Sequence, residues 1–170
     1  LQRAGLRRAY EKDGAGTLTL TAPNTYSLGT TVNRGTLNLS PTTPGDIVIP
    51  AGGLTIHGGV TGTGTLVNLN SSNAIHSSTD LVLNGRAGLT MAAGVSQTLD
   101  TVTFNNIGGE ANPAVTIAAN GVLTLSNSSP ITATSSNAAN TATITGGTLA
   151  LAAVSTITTD PIQLGTQIYT

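Results

Sequence analysis

The chain has 170 residues and a formal net charge of −1; 38% of its residues are hydrophobic, 8% are charged and 2% are aromatic. Because a typical soluble domain carries about 25% charged residues, the exterior must be built from neutral polar side chains, and no positive field exists to attract nucleic acid. Cysteine is absent, which excludes a disulfide framework and thiolate metal ligands.

The first thirteen residues differ from the rest of the chain because they hold four of its six basic residues. Three apolar residues here have the i, i+3, i+4 spacing of one helix face: Leu6, Ala9 and Tyr10. We predict that residues 1–13 form a helical cap over the open edge of the structure that follows, or a segment that joins subunits. The chain begins at Leu1 and shows no signal peptide, which favours a mature or excised product.

Residues 14–40 contain one short pattern twice, in which a glycine precedes alternating apolar and polar residues. The two copies are Gly16-Thr17-Leu18-Thr19-Leu20 and Gly35-Thr36-Leu37-Asn38-Leu39. Strict alternation predicts a strand with one buried face, and the glycine predicts a tight bend before it. The copies lie 19 residues apart, which is too far for a tight hairpin but suits one turn of a solenoid.

The pattern returns five more times along the chain, beginning at Gly53, Gly64, Gly88, Gly121 and Gly147. Most copies follow a second short apolar run, so we predict a repeating unit of strand, bend and strand. These runs are Thr31-Val32, Ile47-Val48-Ile49, Leu81-Val82-Leu83, Val115-Thr116-Ile117 and Thr143-Ile144. Repetition on this scale favours one stacked domain over residues 14–170. We expect polar connections at 41–46, 70–79, 105–113 and 126–140, a short strand at Ile131–Thr134, and a last coil or edge strand in 158–170.

Residues 14–40 resemble the autotransporter-associated β-strand repeat, also called the passenger-associated transport repeat. The matching positions are Gly14, Gly16, Thr17, Leu18, Leu20, Asn24, Thr25, Tyr26, Gly29, Thr30, Thr31, Val32, Gly35, Thr36 and Leu37. Ala22 and Leu28 depart from the repeat at positions where glycine is usual. The resemblance implies a right-handed parallel β-helix exported to the bacterial surface, and it carries over no catalytic residue. The predicted fold is therefore an all-β, right-handed parallel β-solenoid with a helical cap.

A carbohydrate-active enzyme on this fold would need carboxylates gathered in a groove, usually with aromatic platforms for sugar rings. Asp46 and Asp80 precede what look like equivalent strands and could share one ridge, but a turn-forming role is the simpler interpretation. The other carboxylates considered are Asp100, Glu110 and Asp160. The aromatic residues are few and scattered: Tyr10, Tyr26, Phe104 and Tyr169.

The sequence contains no residue pattern typical of a metal-binding or cofactor-binding site. His57 and His76 have no partner at the spacing of zinc ligands. Gly58-Gly59 and Gly108-Gly109 lack the aspartate of calcium-binding solenoid repeats, and no phosphate-binding lysine follows Gly62-Thr63-Gly64. Threonine pairs of the form Thr-x-Thr recur and would suit an ice-binding array, but such an array would require equal coil lengths. We therefore expect no catalytic, cofactor or metal site.

The sequence thus predicts a non-enzymatic structural or adhesive solenoid of a bacterial surface or biofilm matrix protein, located outside the cell. Expected partners are cell-surface or matrix polysaccharide and further copies of the chain, with no nucleic acid and no stable membrane insertion. Head-to-tail contact between complementary ends would be open and would give filaments. The alternatives are a polysaccharide lyase-like or hydrolase-like β-helix enzyme and a threonine-array ice-binding protein.

Overall fold

The computed structural model describes residues 8–59, 64–106, 112–135, 140–152 and 155–160. These residues form strands, turns and bends and contain no helix. The strands are β1 (Ala9–Lys12), β2 (Thr17–Leu20), β3 (Leu28–Val32), β4 (Thr36–Leu39), β5 (Leu54–His57), β6 (Leu66–Leu69), β7 (Asp80–Asn84), β8 (Gly88–Met91), β9 (Ser96–Leu99), β10 (Thr101–Asn106), β11 (Ala114–Leu125), β12 (Ile131–Ser135), β13 (Thr143–Leu151) and β14 (Ile157–Asp160).

The strands stack into parallel sheets, so the chain is an all-β solenoid, as predicted. The first sheet has the order β1-β3-β5-β7-β10-β12-β14, and the second has the order β13-β11-β8-β6-β4-β2. Strand β9 pairs with the second half of β11, Val122–Leu125, while β8 pairs with the first half. An isolated bridge between Ile49 and Ile75 lies outside the named strands. The right-handed sense of the solenoid stays a prediction.

The strands keep their register although the coils differ in length. Partners in the first sheet are 20 residues apart from Tyr10 to Thr30 but 29 apart from Val102 to Ile131. The alternation within each strand is preserved across these steps, because parallel pairing aligns residues that point to the same side. The bends therefore absorb the differences in length.

Alternation separates a mainly aliphatic interior from a polar exterior. In β4 the two leucines are fully buried while Thr36 and Asn38 are partly exposed, and β7, β8 and β10 repeat the pattern. The core contains one phenylalanine, Phe104, and one methionine, Met91, among Leu, Ile, Val and Ala side chains. Fully burying one such side chain stabilises the fold by about 1.5–3 kcal/mol, and each one also stacks on its counterpart in the next coil.

The repeated units are only partly equivalent: the strands that follow the glycines lie in the second sheet except for the one after Gly53. The glycine-preceded strands fall in different ladders: Leu18 and Leu37 lie in the second sheet, Leu54 lies in the first, and Val122 lies in the half of β11 that pairs with β9. The apolar runs are also mixed, since Ile49 bridges Ile75 whereas Leu81 pairs in the first sheet. A bend followed by alternating residues predicts a strand, but it does not predict the sheet to which that strand belongs.

The predicted N-terminal helix is wrong over the residues that the structure describes, and residues 1–7 lie outside them. Residues Ala9–Lys12 form β1, which pairs in parallel with β3. An isolated helix of twelve residues is marginal in water, whereas the free edge of β3 offers β1 a row of backbone hydrogen bonds. In the strand β1 the side chain of Lys12 points inward, and it is only 6% exposed.

Two bends require glycine because neighbouring coils approach there. Gly35 has φ of +73°, and a Cβ built on it would lie 2.5 Å from the carbonyl oxygen of Gly16. Gly58 is buried, and a Cβ on it would collide with the backbone of Arg86 and Ala87 in the next coil. By contrast, a Cβ on Gly16 would meet nothing within 4 Å.

Other sequence predictions have mixed outcomes. The short strand at Ile131–Thr134 is confirmed as β12. Residues 158–160 continue β14, but the rest of the predicted tail lies outside the described residues. The strand β9 was not predicted. Within the described ranges no helix is long and apolar enough to cross a membrane.

Replacing Thr79 with valine should stabilise the protein. Thr79 is fully buried, and its Oγ1 has no hydrogen-bond partner within the described part of the chain. Valine keeps the shape and removes the unsatisfied hydroxyl, so we expect the free energy of unfolding to rise by about 1 kcal/mol. Urea denaturation measures this change.

Thr65→Val provides the matched control, because the buried Thr65 Oγ1 donates a hydrogen bond to the His57 carbonyl at 2.7 Å. Its loss should lower the free energy of unfolding by about 1 kcal/mol. Equal effects of the two valine substitutions would contradict this account of Thr79.

Candidate functional site: outer faces and ends of the solenoid

Two of the carboxylates considered for catalysis, Asp80 and Asp100, are hydrogen-bonded to neighbouring coils. Asp80 Oδ1 accepts a hydrogen bond from Thr101 Oγ1 at 2.5 Å. Asp100 accepts hydrogen bonds from Ser126 Oγ and Asn127 Nδ2, both at 3.2 Å. Such contacts fasten one coil to the next. Asp80 and Asp100 therefore each have a structural use.

Asp46 and Asp80 do not share a ridge, and Asp46 has the turn-forming role that was the simpler interpretation. Asp80 begins β7 in the first sheet, whereas Asp46 lies in the turn before the bridge residue Ile49. Its backbone N–H donates to the Thr43 carbonyl at 3.2 Å. Glu110 lies outside the described residues, and Asp160 ends β14. The two aspartates were placed together because a strand followed each of them, and those strands belong to different ladders.

The two histidines are engaged separately. His57 Nδ1 lies 3.2 Å from Asn84 Nδ2 in the next coil. His76 Nδ1 accepts from the backbone N–H of Ser78 at 3.2 Å and lies 2.9 Å from the Ser78 hydroxyl, which is an ordinary turn contact. Within the described ranges, no three His, Asp or Glu side chains are grouped so that they could hold a metal ion.

The described aromatic side chains lie in two places, one in the core and one in a stacked pair. Phe104 lies in the core with 2% exposure. The rings of Tyr10 and Tyr26 stack with centroids 5.6 Å apart and an interplanar angle of 22°, and the Tyr26 hydroxyl lies 2.6 Å from Thr30 Oγ1. Burial raises the pKa of both tyrosines, and for Tyr26 the hydrogen bond to Thr30 partly opposes this effect. Tyr169 lies outside the described residues.

The stacked tyrosines predict a loss of stability in alkali. Their pKa is higher in the folded chain than the value near 10 of an unfolded tyrosine, so the unfolded chain loses its protons first as the pH rises. The stabilising contribution is full below about pH 10 and is lost above it. We expect the urea midpoint to fall between about pH 9 and pH 11, and Tyr10→Phe to reduce that fall. An identical fall in Tyr10→Phe would contradict this assignment.

Threonines form a column on the outer face of the first sheet despite the unequal coils. The register aligns one outward position of each strand from β3 to β14: Thr31, Thr55, Val82, Thr103, Thr132 and Thr158. Successive members are about 4.8 Å apart, which is the spacing of neighbouring strands. The expectation that such a column needs coils of equal length is therefore wrong, because register is set by pairing and not by the length of the bends.

The outer face of the second sheet carries a column that is linked by hydrogen bonds. Asn68 Nδ2 donates to Asn38 Oδ1 at 2.9 Å, and Asn38 Nδ2 lies 3.5 Å from Thr19 Oγ1. Beside this column, Asn70 Nδ2 donates to Ser40 Oγ at 2.8 Å. The column of the second sheet is thus neutral, polar and internally hydrogen-bonded. The threonine column of the first sheet is uncharged from β3 to β14 and meets the charged Glu11 at β1.

A cleft of about 350 Å³ lies at the N-terminal end of the described solenoid, between β1, β2 and the bend that joins them. The buried Lys12 Nζ donates to the carbonyl oxygens of Gly14 and Arg34 at 2.9 and 2.7 Å. The cleft is lined by Tyr10, Glu11, Lys12, Asp13, Gly14, Gly16, Thr17 and Leu18. This role of Lys12 was not predicted, although its place two residues after Tyr10 puts both side chains on the same side of a strand.

A model of the passenger-associated transport repeat matches residues 11–39. The chain carries a passenger-associated transport repeat. The matched residues run from β1 to the end of β4 and cover two strands of each sheet. No curated protein and no solved structure matches the chain.

The repeat and the parallel solenoid together fit an autotransporter passenger repeat protein with a passenger-type structural domain. The passenger-associated transport repeat is a structural repeat and does not define a known enzyme family. It implies a secreted or cell-surface protein. The structure places Gly35, which the repeat pattern contains, at a coil-to-coil contact where a side chain would not fit.

Proposed function

We propose that this chain is a non-catalytic, structural and adhesive segment displayed on the outside of a bacterial cell or in a biofilm matrix. The observation that carries the proposal is the passenger-associated transport repeat at residues 11–39, built into a continuous parallel solenoid. Backbone hydrogen bonds along the axis make such a solenoid a stiff spacer. Its neutral outer faces are suited to neutral, hydroxyl-rich partners such as cell-surface or matrix polysaccharide, and its ends are suited to further copies.

The test is binding of the purified 170-residue chain to immobilised surface and matrix polysaccharides, with release of reducing ends measured in the same samples. We expect binding without cleavage. The double variant Thr103→Lys/Thr132→Lys should weaken binding if the outer face of the first sheet is the contact. The matched variant Thr90→Lys/Thr116→Lys changes the equivalent positions of the second sheet.

Two results would overturn this proposal. Failure to bind any surface or matrix polysaccharide, together with failure to self-associate, would remove the adhesive role. Release of reducing ends that is abolished by Asp80→Asn or Asp100→Asn would establish the carbohydrate-active enzyme instead. Both substitutions keep the size of the side chain, so a loss of product with normal folding would report chemistry.

A second candidate, ice binding, is supported by the aligned threonine column of the first sheet. Five of its six positions are threonine, and Val82 is the sixth. A column of regularly spaced threonine hydroxyl and methyl groups can order water along one face. Thermal hysteresis that is lost in Thr103→Lys/Thr132→Lys would favour this function, and its absence in the unmodified chain would reject it.

A further inference from the structure

The stacked tyrosine pair connects the first two coils of the described solenoid. Tyr10 lies in β1, and Tyr26 lies in the connection between β2 and β3. Their ring centroids are 5.6 Å apart and the rings are inclined by 22°, which is the geometry of a favourable aromatic pair. The parallel ladder places Tyr10 opposite Thr30, so the pairing of β1 with β3 brings the two rings together.

Hydrogen bonds on both sides of the pair keep the rings in contact. The Tyr26 hydroxyl lies 2.6 Å from Oγ1 of Thr30, which is buried in β3. The backbone N–H groups of Ser27 and Leu28 both donate to the Arg8 carbonyl, at 3.2 and 3.0 Å. The backbone beside each ring is therefore tied to the other coil, and the two phenols are held as neighbours in the folded chain.

Two phenols in contact can be joined by oxidation. Both rings are partly exposed, so an oxidant in the solvent can reach them. Loss of one electron and the phenolic proton converts a tyrosine to a phenoxyl radical, whose unpaired electron is shared between the oxygen and the ortho carbons. Two such radicals form a bond between ortho carbons, and the hydrogens on these carbons then move to the oxygens. Contact between the rings makes this coupling intramolecular and fast.

We propose that Tyr10 and Tyr26 are a site of oxidative cross-linking, at which a haem peroxidase using hydrogen peroxide joins the two rings by a carbon–carbon bond. The two electrons and two protons that the rings release reduce one peroxide to two molecules of water. The product closes residues 10–26 into a covalent loop and holds β1 on β3. The chain contains no cysteine, so a disulfide cannot provide such a link. This modification goes beyond the structural and adhesive function proposed above.

The experiment treats a dilute solution of the purified 170-residue chain with a haem peroxidase and hydrogen peroxide, followed by denaturation, trypsin digestion and mass spectrometry. Trypsin cleaves after lysine and arginine, so each tyrosine falls in a different peptide: Tyr10 in 9–12, Tyr26 in 13–34 and Tyr169 in 87–170. We expect the first two peptides to be joined, with a mass lower than their sum by two hydrogen atoms and with the blue fluorescence of a biphenol. The yield should not depend on protein concentration.

Variants identify the coupled pair. Tyr10→Phe and Tyr26→Phe should each abolish the joined peptide, whereas Tyr169→Phe should leave its yield unchanged. The double variant Tyr26→Phe/Thr25→Tyr keeps the number of tyrosines but moves one ring to an exposed neighbouring position. It should lower the yield by more than roughly tenfold, because the rings are no longer held in contact.

Digestion of the folded chain measures what the cross-link does to the first coil. Lys12 is 6% exposed, so trypsin can cleave after it only when β1 opens. The cross-link should slow this cleavage by more than roughly tenfold, because it limits the freedom that the chain gains on opening. Cleavage after the exposed Arg86 should proceed at the same rate with and without the cross-link.

Three results would overturn the proposal. One is the absence of the joined peptide under conditions in which the same peroxidase couples free tyrosine. The second is a product that joins only different chains, with a yield that rises with protein concentration. The third is a joined peptide that survives in Tyr26→Phe, which would assign the coupling to another pair. Polysaccharide binding is measured on the untreated chain, so none of these results bears on the proposed function.

Discussion

Replacement of Gly58 by alanine is expected to lower the free energy of unfolding by about 3 kcal/mol, at the upper end of the usual cost of overpacking. The new Cβ would collide with the backbone of Arg86 and Ala87 in the next coil. Backbone cannot move aside as a flexible side chain can. The Gly58 N–H also donates to the Asn84 carbonyl at 2.8 Å, so relief of the collision would stretch hydrogen bonds between the two coils.

The matched control is Gly16→Ala, because a Cβ at Gly16 would meet nothing within 4 Å. Alanine also reduces the conformational freedom of the unfolded chain. We therefore expect the stability of Gly16→Ala to be unchanged or slightly raised. Urea denaturation of the two variants and the unmodified chain measures the difference. Similar stabilities of the two variants would show that the coils can separate at Gly58 without cost.

Replacement of Gln97 by leucine should cost about 2–4 kcal/mol although it puts an apolar residue into an apolar core. Gln97 is 2% exposed, and its amide makes three hydrogen bonds. Its Oε1 accepts from the Ile75 N–H at 3.1 Å, and its Nε2 donates to the carbonyls of Ile75 and Thr98 at 2.7 and 2.6 Å. Leucine leaves the N–H and carbonyl of Ile75 buried without partners at a cost of about 1–3 kcal/mol each, and the burial of its own apolar side chain offsets part of that cost.

Two further variants separate hydrogen bonding from packing. Thr124→Val changes an outward position on the strand that pairs with β9 and should have little effect. Gln97→Glu keeps the shape and the acceptor, but only its protonated form can donate to a carbonyl. Burial raises the pKa of such a carboxyl above its unfolded value, so Gln97→Glu should be more stable at acidic pH and lose stability as the pH rises. Equal stability of Gln97→Leu and the unmodified chain would refute this role of Gln97.

Gln97 also shows what the sequence could and could not predict. The strand Ser96–Leu99 has only one clearly apolar inward residue, Leu99, so alternation gave no signal for it. The polar side chain of glutamine predicts an exposed position. Gln97 is buried because Ile75, in the segment 71–79, offers its backbone N–H and carbonyl as hydrogen-bond partners. Ile75 forms a β-bridge with Ile49 on one side. On its other side, the Gln97 amide is the partner of its backbone N–H and carbonyl.

The strands with strong alternation were predictable, because their inward residues are determined locally. The Leu-x-Leu pattern of β4 and the Leu-x-Met pattern of β8 identify their buried faces without knowledge of the fold. Their assignment to one ladder or another was not predictable, because it depends on how many residues each bend contains. Lys12 was misassigned for a related reason: helical spacing over residues 1–12 was a weak local preference, and pairing with β3 outweighed it.

Residues that pairing brings together across unequal coils could not be predicted as neighbours from the sequence. The polar outer columns become visible only when coils of unequal length are aligned by pairing, so Thr103 and Thr132 are neighbours although 29 residues separate them. Asp46 and Asp80 show the reverse, since similar sequence surroundings placed them on one ridge where the structure has none.

The bends of this chain tolerate changes in length that its strands do not. Adding or removing one residue within β4 would reverse its inward and outward sides and drive threonine into the core. The same change in the turn at 41–46 would leave every ladder in phase. Natural deletions, duplications and inserted peptides should therefore accumulate at the corners, where the molecule can lengthen its loops and acquire new binding loops while the stacked leucines remain untouched.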